Sequence, residues 1–98
     1  MEHKATLQEA IRVLDERSNV YGTVEQSFER AAGIATLMLD RVVTPHEVVN
    51  VMIAVKLARA AVNPFHTDSY VDAINYLAFA AEFVETLGNN APPPPAEP

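Results

Sequence analysis

The chain has 98 residues, 49 % of them hydrophobic, and a formal charge of -6 from 13 acidic and 7 basic side chains. That length fits one small domain with little room for a deep core, and the acidic balance argues against a nucleic-acid partner, which needs a broad cationic face. The absence of cysteine excludes disulfides and thiolate metal sites.

The opening Met-Glu-His-Lys lacks the apolar run of a secretory signal, so a cytoplasmic location is expected. Apolar stretches such as 48–55 and 73–81 fall short of the ~20 residues needed to cross a bilayer.

Capping signals divide the chain into four predicted helices, at about 6–18, 23–40, 45–62 and 68–87. Thr6 with Glu9 and Thr23 with Gln26 both match the capping box, in which a hydroxyl and a side-chain carbonyl satisfy amides at a helix start. Leu7, Ala10, Ile11 and Leu14 make the apolar stripe of the first helix, and 18–22 forms a turn that Gly22 can close with positive φ. Thr44, Pro45 and Glu47 combine an N-cap, a proline at the first helical position and a capping-box glutamate. Asn63-Pro64 ends the third helix, residues 67–69 cap the fourth, and Gly88 ends it. Residues 1–88 are thus expected to form one all-α, four-helix bundle-like domain. Residues 89–98, Asn-Asn-Ala-Pro-Pro-Pro-Pro-Ala-Glu-Pro, are expected to be a disordered proline-rich tail.

The third helix is apolar almost all round, and the fourth carries one stripe through Val71, Ile74, Leu77, Ala78 and Ala81 and another through Tyr76, Phe79 and Phe83. A helix that is hydrophobic on every face is normally buried on every face. Four helices of one small chain can scarcely bury both, so a homo-oligomer, dimer or tetramer, is expected, with these two helices packed across the interface.

Between Glu47 and Glu82 there are only four formal charges, Lys56, Arg59, Asp68 and Asp72, with His66 among them. Lys56 and Arg59 are three apart on one helix, and Asp68 and Asp72 are four apart on the next, so antiparallel packing brings cations and carboxylates together. One reading is a structural ion-pair network. The other is a site in which carboxylates hold Mg²⁺ and the cations bind phosphate oxygens. Further ligands for that ion would come from Glu25 and Glu29, at i and i+4 on the second helix, unless these are merely solvated. Tyr21 and Phe28 are candidates for stacking on a base, although Phe28, like Tyr76, also fits a core position. His66 is a candidate phosphate contact or acid.

The run Tyr21-Gly22, Ser27-Phe28-Glu29, Lys56-Leu57-Ala58-Arg59 and His66-x-Asp68-x-x-x-Asp72 with Tyr76 resembles a family of small uncharacterised proteins common in bacteriophage genomes. The match spans roughly Leu14 to Glu82; host cytoplasm is then the expected compartment. More distantly, the acidic second helix with Asp-x-x-x-Asp on a later one is similar to the MazG-type all-α nucleoside triphosphate pyrophosphohydrolases. That resemblance implies homo-oligomers and Mg²⁺-dependent cleavage of a nucleotide to its monophosphate and pyrophosphate. It would make Glu25, Glu29, Asp68 and Asp72 metal ligands, with Glu29 and Asp72 catalytic, and Lys56, Arg59, Tyr21 and His66 substrate-binding. The MazG motifs Glu-Glu-x-x-Glu and Glu-x-x-Asp are not intact here: Ser69 stands three residues before Asp72 where an acid is required. Three classes stay open: a nucleotide pyrophosphohydrolase, a nucleotide-binding or sequestering protein without turnover, and a structural or partner-binding helical oligomer.

Overall fold

The computed structural model describes residues 2–17 and 23–88. They form four helices, α1 (His3–Arg17), α2 (Val24–Leu39), α3 (Pro45–Val62) and α4 (Thr67–Gly88), with no strand among the described residues. Among those residues no helix is long and apolar enough to cross a membrane. The 18–22 turn with Gly22 and the proline-rich segment 89–98 lie outside the described residues.

Two of the three capping boxes form. Thr23 Oγ1 accepts the Gln26 N–H at 3.1 Å while Gln26 Oε1 accepts the Thr23 N–H at 3.3 Å. Thr44 and Glu47 repeat the exchange at 3.1 and 3.2 Å, with Pro45 in the first turn where its missing N–H leaves nothing unsatisfied. The Thr6–Glu9 box does not form, because the helix starts three residues earlier. Thr6 sits inside α1 with its N–H donated to the Glu2 carbonyl at 3.1 Å, and Glu9 turns to Arg12, with oxygens 2.6 and 2.9 Å from the guanidinium. The i,i+3 partner wins over the cap because Glu2 already supplies the acceptor for the first turn.

Asp40 ends α2 in the left-handed conformation at φ 54°, one of the few non-glycine residues that tolerates it. Thr36 then fastens the connection: its hydroxyl accepts the Val43 N–H at 2.9 Å and donates to the Ala32 carbonyl at 2.8 Å. At the other end of α3, the Asn63 N–H returns to the Arg59 carbonyl, Asn63 Oδ1 accepts the Phe65 N–H at 3.2 Å, and the Tyr70 hydroxyl donates to the Pro64 carbonyl at 3.0 Å.

The short 63–66 connection makes α3 and α4 an antiparallel hairpin, which is the most extensive packing in the chain. Helix α1 packs on α4 and α2 on α3, and among the described residues α1 approaches neither α2 nor α3. Phe28 of α2 crosses to α4, where its ring centroid lies 6.0 Å from each of Tyr76, Phe79 and Phe83. The core between the helices is thin: Val49 and Val71 are its largest fully buried side chains, and Ala10, Ala32, Ala60, Ala73 and Ala80 supply most of the rest. Outside it, Leu37, Val62 and Phe65 are 85, 87 and 91 % exposed.

Sequence reasoning places α3 and α4 across a subunit interface. Within the chain they pack against one another, as the antiparallel arrangement expected for the charges requires, and keep an outer face on which Val51, Leu57 and Leu77 are exposed.

Val49→Ala removes fully buried methyl groups and should cost roughly 2 kcal/mol in urea unfolding, whereas Val62→Ala should change stability by less than about 0.5 kcal/mol. The Glu47 carboxyl is held below the usual carboxylate range, first by the Thr44 backbone amide and then by Arg41. A lowered folded-state value means that its contribution is complete above the ordinary glutamate range and is lost as pH falls through the lowered value. The urea midpoint should therefore fall as pH drops below the ordinary glutamate range, and Glu47→Gln should flatten that part of the profile.

Candidate functional site

Lys56 lies six residues before the end of α3 and Asp72 five residues into α4, so the antiparallel hairpin sets them level. Lys56 Nζ meets Asp72 Oδ2 at 3.0 Å, with side chains 14 and 15 % exposed. Of the cation–carboxylate convergence expected from sequence, this is the contact that forms. The two neighbouring charges stay out of it: Arg59 and Asp68 are both exposed, and Arg59 has no carboxylate partner among the described residues. One turn on a helix rotates successive i,i+3 side chains by about 60°, which is enough to bury Lys56 and leave Arg59 in solvent.

Asn75, three residues beyond Asp72, is turned to another helix. Its Nδ2 donates to the Ala10 carbonyl at 3.0 Å and fastens α1 to α4. Ser69, in the place where the MazG pattern has an acid, is 2 % exposed, and its hydroxyl lies 3.2 Å from His66 Nδ1. His66 is itself exposed and thereby tied to the start of α4. Phe28 and Tyr76 belong to the aromatic cluster between α2 and α4, which takes Phe28 away from base stacking. Tyr21 lies outside the described residues.

Glu25 is half-buried and Glu29 exposed. Among the described residues no three His, Asp or Glu side chains come close enough to share one cation. Of the four candidate metal ligands, Asp72 is engaged by Lys56. Two features escaped sequence reasoning. Phe65 is presented to solvent on a loop pinned from both sides, which the Asn63-Pro64 signal marks only as a helix stop. An open apolar groove of about 440 Å³ runs between α2 and α3, lined by Ala31, Ala35, Val48, Val51 and Met52 among others, with the Arg41–Glu47 ion pair at its rim.

Over residues 5–84 the chain matches the profile of a domain of unknown function, DUF6378, and it belongs to that family. It is similar to the Gene 55 protein of Mycobacterium phage D29, 31 % identical over 74 residues that make up 74 % of this chain and 49 % of the relative. The chain thus spans about half the length of the curated relative it matches. No solved structure matches it. The expected kinship with a small, uncharacterised family represented in bacteriophage holds; neither match speaks to nucleotide handling.

A pair this enclosed is costly to break from one side. Lys56→Met and Asp72→Asn should each destabilise by about 2 kcal/mol in urea unfolding, and the double variant by clearly less than the sum. Additive losses would mean that the two side chains are not coupled.

Proposed function

We propose that this chain binds a phosphate-bearing small molecule, with a nucleotide as the expected class, and does so as a homo-oligomer. The observation that carries the proposal is the Lys56–Asp72 pair. Two charges have been taken largely out of water on helices that are otherwise apolar, where a pair of hydrophobic residues would stabilise the fold as well or better. A charge pair retained at that cost, with the exposed guanidinium of Arg59 one turn along the same helix, is the arrangement of a site held ready for an anion. Arg59 supplies a planar fork for phosphate oxygens, and Lys56 adds charge when an incoming anion competes with Asp72. His66 is a further contact at the start of α4.

The oligomer is supported by the poverty of the core and by large apolar side chains left uncovered on all four helices, such as Leu7 and Ile11 on α1, Leu37 on α2, Leu57 on α3 and Leu77 on α4. That same surface favours a second reading, a helical assembly subunit in which Lys56–Asp72 is only structural. Among the described residues Glu25, Glu29, Asp68 and Asp72 do not gather round one point, which supports binding without turnover over Mg²⁺-dependent hydrolysis.

A thermal-shift panel of nucleoside mono-, di- and triphosphates separates these. A ligand at 100 times its Kd should stabilise by about 2.7 kcal/mol and raise the Tm by roughly 10–20 °C in a domain of this size. Arg59→Ala should abolish the shift without lowering the Tm of the free protein. Pyrophosphate release in the presence of Mg²⁺, lost in Asp72→Asn, would establish the hydrolase instead; no shift across the panel would leave the assembly subunit.

A further inference from the structure

Round α3, Arg59 falls within about 20° of Val48 and Met52, which line the groove beside α2, and Lys56 within about 40° of Met52. Round α4, Asp72, Tyr76, Phe79 and Phe83 share an arc of about 60°, and the last three meet Phe28 of α2. The α2 side of the hairpin thus carries both the charges and the rings. Phe28 covers the end with the rings, whereas Arg59 and Asp68 at the other end are exposed. Tyr76 stands at the boundary, one turn beyond Asp72 and half-buried, its ring plane at 80° to that of Phe28. Heights along the hairpin follow from the Lys56–Asp72 contact. With that pair level in antiparallel helices, Tyr76 lies about 6 Å to one side of it along the axis and Arg59 about 4.5 Å to the other, at 1.5 Å per residue. A ring, a first cation and a second cation are therefore met in that order along one line.

We infer that the ligand of this site is a nucleoside diphosphate or longer, with its base against the Tyr76 ring and successive phosphates at Lys56 and Arg59. The inference rests on the anion-site reading above and adds the residue that receives the base and the direction in which the ligand lies. Stacking on an aromatic ring accepts any base, because every base has a π-face. Tyr76 accordingly selects for the presence of a base without choosing among bases. A plain phosphate or pyrophosphate reaches only the two cations and gains nothing from the ring. A monophosphate reaches the ring and the first cation, so a diphosphate is the smallest ligand that uses the whole line. The open end at Arg59 leaves room for a further phosphate, while Phe28 closes the end where the base lies.

Calorimetric titration of the full chain with AMP, ADP, UDP and inorganic pyrophosphate tests this. ADP and UDP should bind alike, and each about tenfold more tightly than pyrophosphate, the advantage that one stacked base confers. AMP should bind more weakly than ADP. Tyr76→Leu should bring ADP down to the level of pyrophosphate and leave pyrophosphate itself unchanged, whereas Tyr76→Phe should keep the preference. Because Tyr76 packs in the aromatic cluster, the native protein supplies a second readout. Its Tyr76 ring resonances, assigned by their loss in Tyr76→Phe, should shift on addition of ADP and stay in place with pyrophosphate. Pyrophosphate or AMP binding as tightly as ADP, equal losses of ADP and pyrophosphate in Tyr76→Leu, or ring resonances that ADP does not move would overturn this inference while the anion site stands. No binding by any of the four overturns both.

Discussion

The seam between α3 and α4 is the constraint from which the rest of the architecture follows. The buried residues of these two helices, Val49, Ala60, Ser69, Val71, Ala73 and Ala80, are all small, so little apolar volume is enclosed. Larger side chains such as Leu57 and Leu77 are left exposed on the same helices. A thin internal core and an apolar exterior are therefore one property seen from two sides. The charge pair belongs to the same geometry: a lysine chain long enough to lie along the seam reaches Asp72 at 3.0 Å without separating the helices.

The aromatic cluster solves a different problem. Helix α2 leans on α3 and does not approach α4 closely along its backbone, yet Phe28 reaches three rings on α4. Ring volume fills the gap that the small-residue seam does not extend to, and it ties the start of α2 to the hairpin. The Lys56–Asp72 pair thereby sits between two packed helices, with Arg59 and Asp68 exposed on the same elements.

Much of the fold was legible from local chemistry. Thr23 with Gln26 and Thr44 with Pro45 and Glu47 gave correct helix starts because a capping box is satisfied by residues within one turn. Thr6 with Glu9 misled because the same residue types satisfy other partners when Glu2 and Arg12 stand nearby. In the site, Lys56 with Asp72 could be read from antiparallel packing, but the separation of Lys56 from Arg59 and of Asp72 from Asp68 depends on how far each helix is rotated about its axis. Spacing alone does not contain that rotation. The role of Asn75 was hidden for a related reason, since its acceptor at Ala10 is 65 residues away in the chain.

Helix α1 stands apart in one respect. α2 with α3 and α3 with α4 are contacts between successive elements, closed over short loops, while α1 reaches α4 only across the whole intervening chain and is fastened there by Ala10 and the Asn75 amide. Loop closure of that length is the costliest step in chain entropy, and the α1–α4 packing that offsets it is no more extensive than that of α2 on α3. The three-helix segment α2–α4 is accordingly the part of the fold that assembles from local encounters, and α1 is the element that docks last and detaches first, with backbone amides that exchange with solvent before any of those in the hairpin.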